Sequence, residues 1–143
     1  TTCLVGFPGE QKSHFEHLLD HVRAVEFDHL GVFTYSPEAG TLAVSAPGQV
    51  DHAVAEERRD QLLTEQMEIV DRKAAALIGT ETEVLLEKPR RNTWQGRSRR
   101  LAPEVDGTIL ISEVPRTAKA GDFTKVSYTR QAEYDMEARA IGT

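Results

Sequence analysis

Two short runs of β-prone residues dominate the hydrophobic pattern at the start of the chain. The first, residues 1–7, ends at Pro8, and the second, residues 30–35, ends at Pro37. Each run has the length of a strand, and proline cannot continue a central ladder. We therefore predict two strands, each followed by a loop, and loops at strand ends are where sites concentrate.

The segment between these runs has helical spacing. Its apolar residues form one stripe: Phe15, Leu18, Leu19, Val22 and Val25. Ser13 followed by Glu16 predicts a capping box, so we expect a helix over residues 13–24. A strand, a helix and a strand in close succession predict one βαβ unit with a right-handed connection and parallel strands. Ligands of such folds bind at the carboxyl ends of the strands.

Three histidines, His14, His17 and His21, lie on one side of this predicted helix. Three imidazoles on one face would suit a metal ion. The helical rotation places them on the outward half, however, and no carboxylate or cysteine is fixed opposite them. We therefore interpret them as a solvated surface.

A longer helix is predicted over residues 51–78. Asp51 would cap it, and Gly79 follows it at a position where left-handed geometry is usual. Its apolar stripe is Ala55, Leu62, Leu63, Ile69, Val70 and Leu77. We interpret the charged run at residues 56–60 as a solvated, ion-paired face. The small and turn-forming residues at 42–50 predict a loop.

Beyond residue 80 the period becomes strand-like. Strand patterns separated by Pro, Gly, Asn or Asp occur at residues 81–86, 93–98, 108–112, 123–130 and 134–140. Five strands in about sixty residues have the size of a small OB-like antiparallel β-barrel. The fold class is therefore α/β followed by a barrel, and we expect two domains, residues 1–78 and 79–143.

Charge supports the same boundary. Residues 1–78 carry 6 Lys+Arg against 13 Asp+Glu, whereas residues 79–143 carry 11 against 10. Cys3 is the single cysteine, which excludes an internal disulfide framework and fits a reducing compartment. We interpret Cys3 as a small buried hydrophobic residue rather than a cluster ligand. No apolar run approaches membrane length and no signal peptide is visible, so we expect a cytoplasmic protein without membrane contact.

Three segments resemble the methylthiotransferase branch of the radical SAM enzymes, in the family's order. They are TTCLVGFPGE at residues 1–10, GVFTYSPEAGT at 31–41 and GRSRRLAPEVDG at 96–107. The resemblance implies that residues 1–78 are the carboxyl-terminal portion of a TIM-like partial barrel. Residues 79–143 would be a TRAM domain, which holds the macromolecular substrate. The chain starts without Met inside a strand-like run, so we expect an excerpt of a longer protein.

The resemblance also implies cofactors. The family uses S-adenosylmethionine and two four-iron four-sulfur clusters, whose ligands would lie outside this chain because one cysteine cannot hold a cluster. Leu4 would contact the adenine, and Gly6 would allow its close approach. Val32, Phe33 and Thr34 would add main-chain and apolar contacts. No residue of this chain is expected to be catalytic or to ligate a metal.

The family has two branches, one that modifies an adenosine of transfer RNA and one that modifies an aspartate of a small-subunit ribosomal protein. The transfer-RNA branch tends to have arginine at the position of Glu38, so the resemblance favours the ribosomal-protein branch, with transfer RNA as the alternative. A carboxylate at the mouth of a site also repels a polyanion and attracts a basic protein. Substrate contacts are expected at Glu38, Arg97, Glu104 and Asp106.

Trp94 lies among basic residues: Arg90, Arg91, Arg97, Arg99 and Arg100. Arginines with an aromatic residue suit a phosphate backbone and a stacked base. A charged barrel rim explains the cluster equally well, because acidic neighbours dilute its field. A non-enzymatic adaptor that binds nucleic acid or the ribosome through the barrel therefore stays open as an alternative.

Overall fold

The computed structural model describes residues 1–103, 106–132 and 135–141. The chain divides into two compact units, Thr1–Asp71 and Arg72–Thr143. The division falls inside a long helix, a few residues before the boundary expected from the charge pattern. None of the helices in the described part of the chain is long and apolar enough to cross a membrane.

The first unit contains the predicted strand, helix and strand. Strand β1 (Thr2–Val5) pairs in parallel with β2 (Gly31–Thr34), and helix α1 (Lys12–Val25) connects them. The prediction of two parallel strands is confirmed. Strand β1 ends before its β-prone run does because Gly6, with φ of 77°, turns the chain out of the extended conformation.

The start of α1 differs from the prediction. Its N-cap is Gln11, and His14 Nδ1 accepts a hydrogen bond from the Gln11 backbone N–H at 3.2 Å, so Ser13 does not cap the helix. The helix begins earlier than predicted because Gln11 and His14 form the capping interaction at its start. The three histidines are exposed, as expected, but His14 serves as a capping group.

The segment before the second helix is more ordered than the predicted loop. Leu42–Ser45 form a short 3-10 helix, and Gln49 Nε2 donates to the carbonyl oxygens of Ala43 and Ala46. Helix α2 (His52–Leu77) then begins after Asp51, whose Oδ1 accepts the Ala53 N–H at 2.8 Å. The predicted cap is therefore confirmed, and so is left-handed geometry at Gly79, where φ is 81°.

The core of the first unit joins both helices to one face of the sheet. Its buried residues are Val5, Phe15, Val22, Leu30, Val32, Leu62 and Ile69. On α2 the predicted stripe is confirmed at Ala55, Leu62 and Ile69. Gln66 is buried as well, and its Nε2 donates to the Phe27 carbonyl at 2.7 Å. This bond satisfies the side-chain donor of Gln66, whereas its buried Oε1 has no hydrogen-bond partner among the described residues.

The second unit is a closed barrel of five strands. They are β3 (Glu81–Pro89), β4 (Trp94–Arg97), β5 (Ile109–Ser112), β6 (Phe123–Ala132) and β7 (Asp135–Ala140). Their order around the barrel is β3-β4-β5-β7-β6. The five strands were predicted close to these positions, except that Tyr134, at the predicted start of the last strand, lies outside the described residues.

One feature of the predicted barrel is wrong. The pairing of β5 with β7 is parallel, whereas the other pairings are antiparallel. The reason is topological: β6 closes the barrel against β3, so β7, antiparallel to β6, must run in the same direction as β5. The interior is filled by Val84, Leu86, Ile109, Ile111, Val126, Tyr128 and Ala138.

Candidate functional site

The two faces of the parallel strand pair differ in burial. Val5 and Val32 point towards the helices and belong to the core. Leu4 and Phe33, which are in register with each other, point to the opposite face and are 49% and 63% exposed. Two adjacent apolar side chains thus form an open surface at the strands that carry the family-like motifs.

The residues that the resemblance assigned to cofactor binding therefore lie on two different faces of the strand pair. Leu4 and Phe33 lie side by side on the open face. Val32 is buried against the helices, and Thr34 is opposite Val5 in the register, on the same helix-facing side. A ligand on the open face could reach Val32 and Thr34 only through their main-chain atoms.

The turn after β1 is held by three segments of the chain. The Gly6 N–H donates to Glu10 Oε2 at 3.0 Å, and the Gly9 N–H donates to the Gly48 carbonyl at 2.8 Å. A Cβ atom added to Gly6 would lie 2.4 Å from Ala55 Cβ on α2. The close approach that Gly6 permits within this unit is therefore to helix α2.

Arg58 does not belong to the solvated face that was predicted for residues 56–60. Its Nη1 donates to Glu10 Oε1 at 2.5 Å, and the two side chains are 11% and 13% exposed. Arg58 lies one turn after Ala55, so it shares the helix face that packs on the turn. The prediction holds for its neighbour Arg59, which pairs with Asp60 and Glu56 near the surface.

Two aromatic residues lie just after the strands, Tyr35 next to β2 and Phe7 two residues after β1. The rings of Phe7 and Tyr35 pack edge to face with centroids 5.3 Å apart. The Tyr35 N–H donates to the Val5 carbonyl at 2.8 Å and extends the strand pairing by one residue. The Tyr35 hydroxyl is buried and has no hydrogen-bond partner among the residues that the structure describes. The sequence analysis did not single out this pair, although Phe7 and Tyr35 are the last residues of the two predicted β-prone runs.

The carboxyl edge of the strands fits an adenosine-containing ligand. Leu4 and Phe33 offer apolar surface for a purine ring, and the unpaired Tyr35 hydroxyl is a polar group of the kind that functional sites retain. An iron–sulfur cluster does not fit. Cys3 is the one cysteine, burial raises the pKa of its thiol, and no group of metal-binding side chains occurs in residues 1–103, 106–132 and 135–141.

Glu38 lies in the loop that follows β2. Thr41 donates its N–H and its hydroxyl to the Glu38 carbonyl, at 3.2 and 2.8 Å, which fixes a turn around it. The side chain is exposed, and its carboxylate makes no ion pair within the described part of the chain. This carboxylate is therefore available to a basic partner.

The substrate residues proposed on the barrel have different surroundings. Arg97 Nε donates to Glu87 Oε1 on the neighbouring strand β3. Asp106 Oδ2 accepts the Ala102 N–H at 2.6 Å. Glu104 lies outside the described residues. Arg97 is thus partly neutralised, and Asp106 has a structural bond in addition to any contact with a substrate.

The exposed aromatic residue beside the arginines is Phe123, not Trp94. Trp94 is half-buried and packs against the barrel core, whereas Phe123 is 66% exposed. Leu85 pairs with Phe123 on one side and with Arg97 on the other, which brings β4 and β6 together around β3. A surface cavity of about 410 Å³ lies here, lined by Thr82, Glu83, Leu85, Arg97, Ser98, Arg99 and Phe123.

Comparisons with known proteins found similarity over both parts of the chain. Residues 78–141 match the TRAM domain family. The whole chain is similar to curated bacterial proteins named ribosomal protein uS12 methylthiotransferase RimO. It is 44% identical over 143 residues to the protein of Synechococcus sp. (strain JA-2-3B'a(2-13)), covering 99% of this chain and 30% of the relative.

Two further relatives carry the same name. The protein of Microcystis aeruginosa is 44% identical over 99% of this chain, which covers 32% of that relative. The protein of Synechocystis sp. is 44% identical over 95% of this chain, which covers 30% of it. The chain therefore spans about a third of the length of these relatives. Residues 78–141 match the TRAM domain family, and the chain as a whole is similar to the part of these RimO-named relatives that it covers.

Proposed function

We propose that this chain is part of a radical SAM methylthiotransferase that modifies an aspartate of a small-subunit ribosomal protein. The observation that carries the proposal is the 44% identity, over 99% of the chain, to proteins named for methylthio transfer to uS12. Residues 1–78 would be a portion of the radical SAM barrel, and residues 79–143 the TRAM domain that binds the substrate. A ribosomal substrate also implies a cytoplasmic location.

In this role the first unit forms one wall of the S-adenosylmethionine site. When bound, S-adenosylmethionine supplies the radical and the methyl group of the reaction. Leu4 and Phe33 would cover the adenine and exclude water from it, while main-chain atoms at Gly6, Val32 and Thr34 would contact its edge. The ligands of the two iron–sulfur clusters would come from other parts of the parent protein.

Phe33→Ala in the full-length parent should weaken S-adenosylmethionine binding by about ten- to a hundredfold, because roughly 1.5–3 kcal/mol of apolar contact is lost when a ligand no longer buries this ring. Unfolding without cofactor should change little, since the ring is already exposed. Equilibrium dialysis under anaerobic conditions measures the affinity. Leu42→Ala is the matched control, because Leu42 is 92% exposed and lies off the strands. Equal affinities in all three proteins would refute the cofactor wall.

The substrate would meet charges of both signs. Glu38 offers a free carboxylate in the loop after β2, and the first 78 residues have a net charge of −7. Ribosomal proteins are typically basic, so this field attracts them and repels RNA. On the barrel, Arg97, Glu104 and Asp106 would supply polar contacts.

Glu38→Arg in the full-length parent should weaken binding of the ribosomal protein a few-fold, because a charge pair at a site rim contributes about 0.2–1 kcal/mol. The loss should shrink as salt is added. Replacing Arg97, Arg99 and Arg100 together with Gln should affect this substrate less. Binding of both variants to the ribosomal protein and to transfer RNA, at two salt concentrations, tests the choice. A steep loss of RNA binding in the arginine variant with no effect of Glu38→Arg on protein binding would favour the transfer-RNA branch.

A further inference from the structure

The turn between β1 and α1 is attached to α2 through one carboxylate. Glu10, at the end of the turn, accepts the Gly6 N–H with its Oε2 at 3.0 Å. Its other oxygen, Oε1, accepts a hydrogen bond from Arg58 Nη1. The Glu10 carboxylate is therefore oriented from two sides, and the backbone of Gly6 is connected through it to a side chain of α2.

Burial makes this connection stiffer than a surface ion pair. Arg58 and Glu10 are nearly enclosed, so solvent and salt screen their attraction weakly. The guanidinium also lies over the ring of Phe15, 5.7 Å from its centroid, and Phe15 is part of the core. The position of Arg58 is thus set by the packing of both helices.

The position of this turn determines the geometry of the carboxyl edge. Gly6 lies two residues after Leu4, and Phe7, next to it, packs on Tyr35. Movement of the Gly6 backbone would therefore shift the apolar surface and the aromatic pair together. Displacements of about 1 Å at a reacting site can cost about a hundredfold in rate.

We propose that Arg58 is a positioning residue for the S-adenosylmethionine site. Acting through Glu10, it holds the Gly6 backbone in the conformation that receives the cofactor and so sets the cofactor affinity of the parent protein. The inference rests on the proposed function. It assigns a role to a residue of the second helix that neither the motifs nor the charge pattern of the sequence single out.

The test uses the full-length parent with its clusters reconstituted. Arg58→Gln should raise the dissociation constant of S-adenosylmethionine about tenfold, because the Glu10 carboxylate loses its orienting partner. Arg58→Lys should restore part of the affinity, since it keeps the charge but not the planar fork of donors. Arg59→Gln is the matched control: it removes the adjacent, more exposed arginine of α2 and should leave the constant unchanged.

A further readout separates positioning from a structural role. Binding of the ribosomal protein should stay within about twofold of wild type in both Arg58 variants, because its proposed contact Glu38 lies in the loop after β2 and not in this turn. The inference is overturned if the Arg58 variants lose affinity for S-adenosylmethionine and for the ribosomal protein to the same extent. It is also overturned if both variants bind S-adenosylmethionine as well as wild type does. Neither result contradicts the proposed function. A wild-type parent that binds no S-adenosylmethionine overturns the proposed function and the inference with it.

Discussion

Gly96→Ala should destabilise the barrel by about 3 kcal/mol, because the new methyl group has no space between strands β3 and β4. A Cβ atom at residue 96 would lie 2.5 Å from the Leu85 carbonyl oxygen, 2.7 Å from Val84 Cγ1 and 3.0 Å from Ile111 Cδ1. The nearest of these atoms is backbone. It can move only if the pairing of β3 with β4 is disturbed.

Urea unfolding monitored by tryptophan fluorescence measures the stability of the barrel selectively. Trp94 is the single tryptophan of the chain and packs against the barrel core, so its signal reports the barrel. Gly31→Ala is the matched control in the other unit: it is also a strand glycine, but its Cβ would come no closer than 3.7 Å to the nearest atom, Thr2 Oγ1. A Gly96→Ala barrel as stable as wild type would show that β4 is farther from β3 than this structure has it.

Gly6→Ala should destabilise the first unit by a similar amount, about 3 kcal/mol, for two reasons that add. The residue has φ of 77°, where an L side chain costs roughly 1–2 kcal/mol. Its Cβ would also overlap Ala55 Cβ, at 2.4 Å, on the rigid helix α2. Unfolding followed by circular dichroism in the helical band reports this unit, because it contains α1 and most of α2.

Gly9→Ala separates the two contributions. Gly9 has φ of 88° in the same turn, but a Cβ there would have no atom within 4 Å, so only the backbone cost of about 1–2 kcal/mol remains. Removing the Ala55 methyl group should relieve the overlap. The double variant Gly6→Ala, Ala55→Gly, compared with Ala55→Gly alone, should therefore lose less unfolding free energy than Gly6→Ala loses relative to wild type. If Gly6→Ala and Gly9→Ala lower the unfolding free energy equally, the contact of Gly6 with α2 is looser than described. The connection between α2 and the turn would then be weaker as well.

Local structure was predictable from the sequence wherever the residues of a single segment determine it. The two strands, the Asp51 cap and the left-handed Gly79 depend on neighbouring residues. The structure has a strand within each β-prone run, this cap and this geometry at Gly79. The position of the first helix cap was wrong by two residues. There the interaction of Gln11 with His14 caps the helix in place of Ser13.

The candidate site was predictable as a set of strands and loops, not as a surface. Alternation indicates that neighbours such as Val32 and Phe33 lie on opposite faces of a strand, but not which face the helices cover. Only the packing of α1 and α2 decides that Val32 is buried and Phe33 is open. Likewise, Arg58 within a charged run resembles its exposed neighbours until the turn at Glu10 folds against it.

By itself, the sequence determined the order of the elements, the Asp51 cap, the charge difference between the two parts and the resemblance to methylthiotransferases, because each is carried by residue types at short spacing. Tertiary structure alone decided which residues meet across long separations. It made the pairing of β5 with β7 parallel, brought Phe123 rather than Trp94 to the surface beside Arg97, and buried the Arg58–Glu10 pair. These outcomes depend on chain closure and on which faces pack, and such contacts join residues too distant in sequence for any local pattern to record.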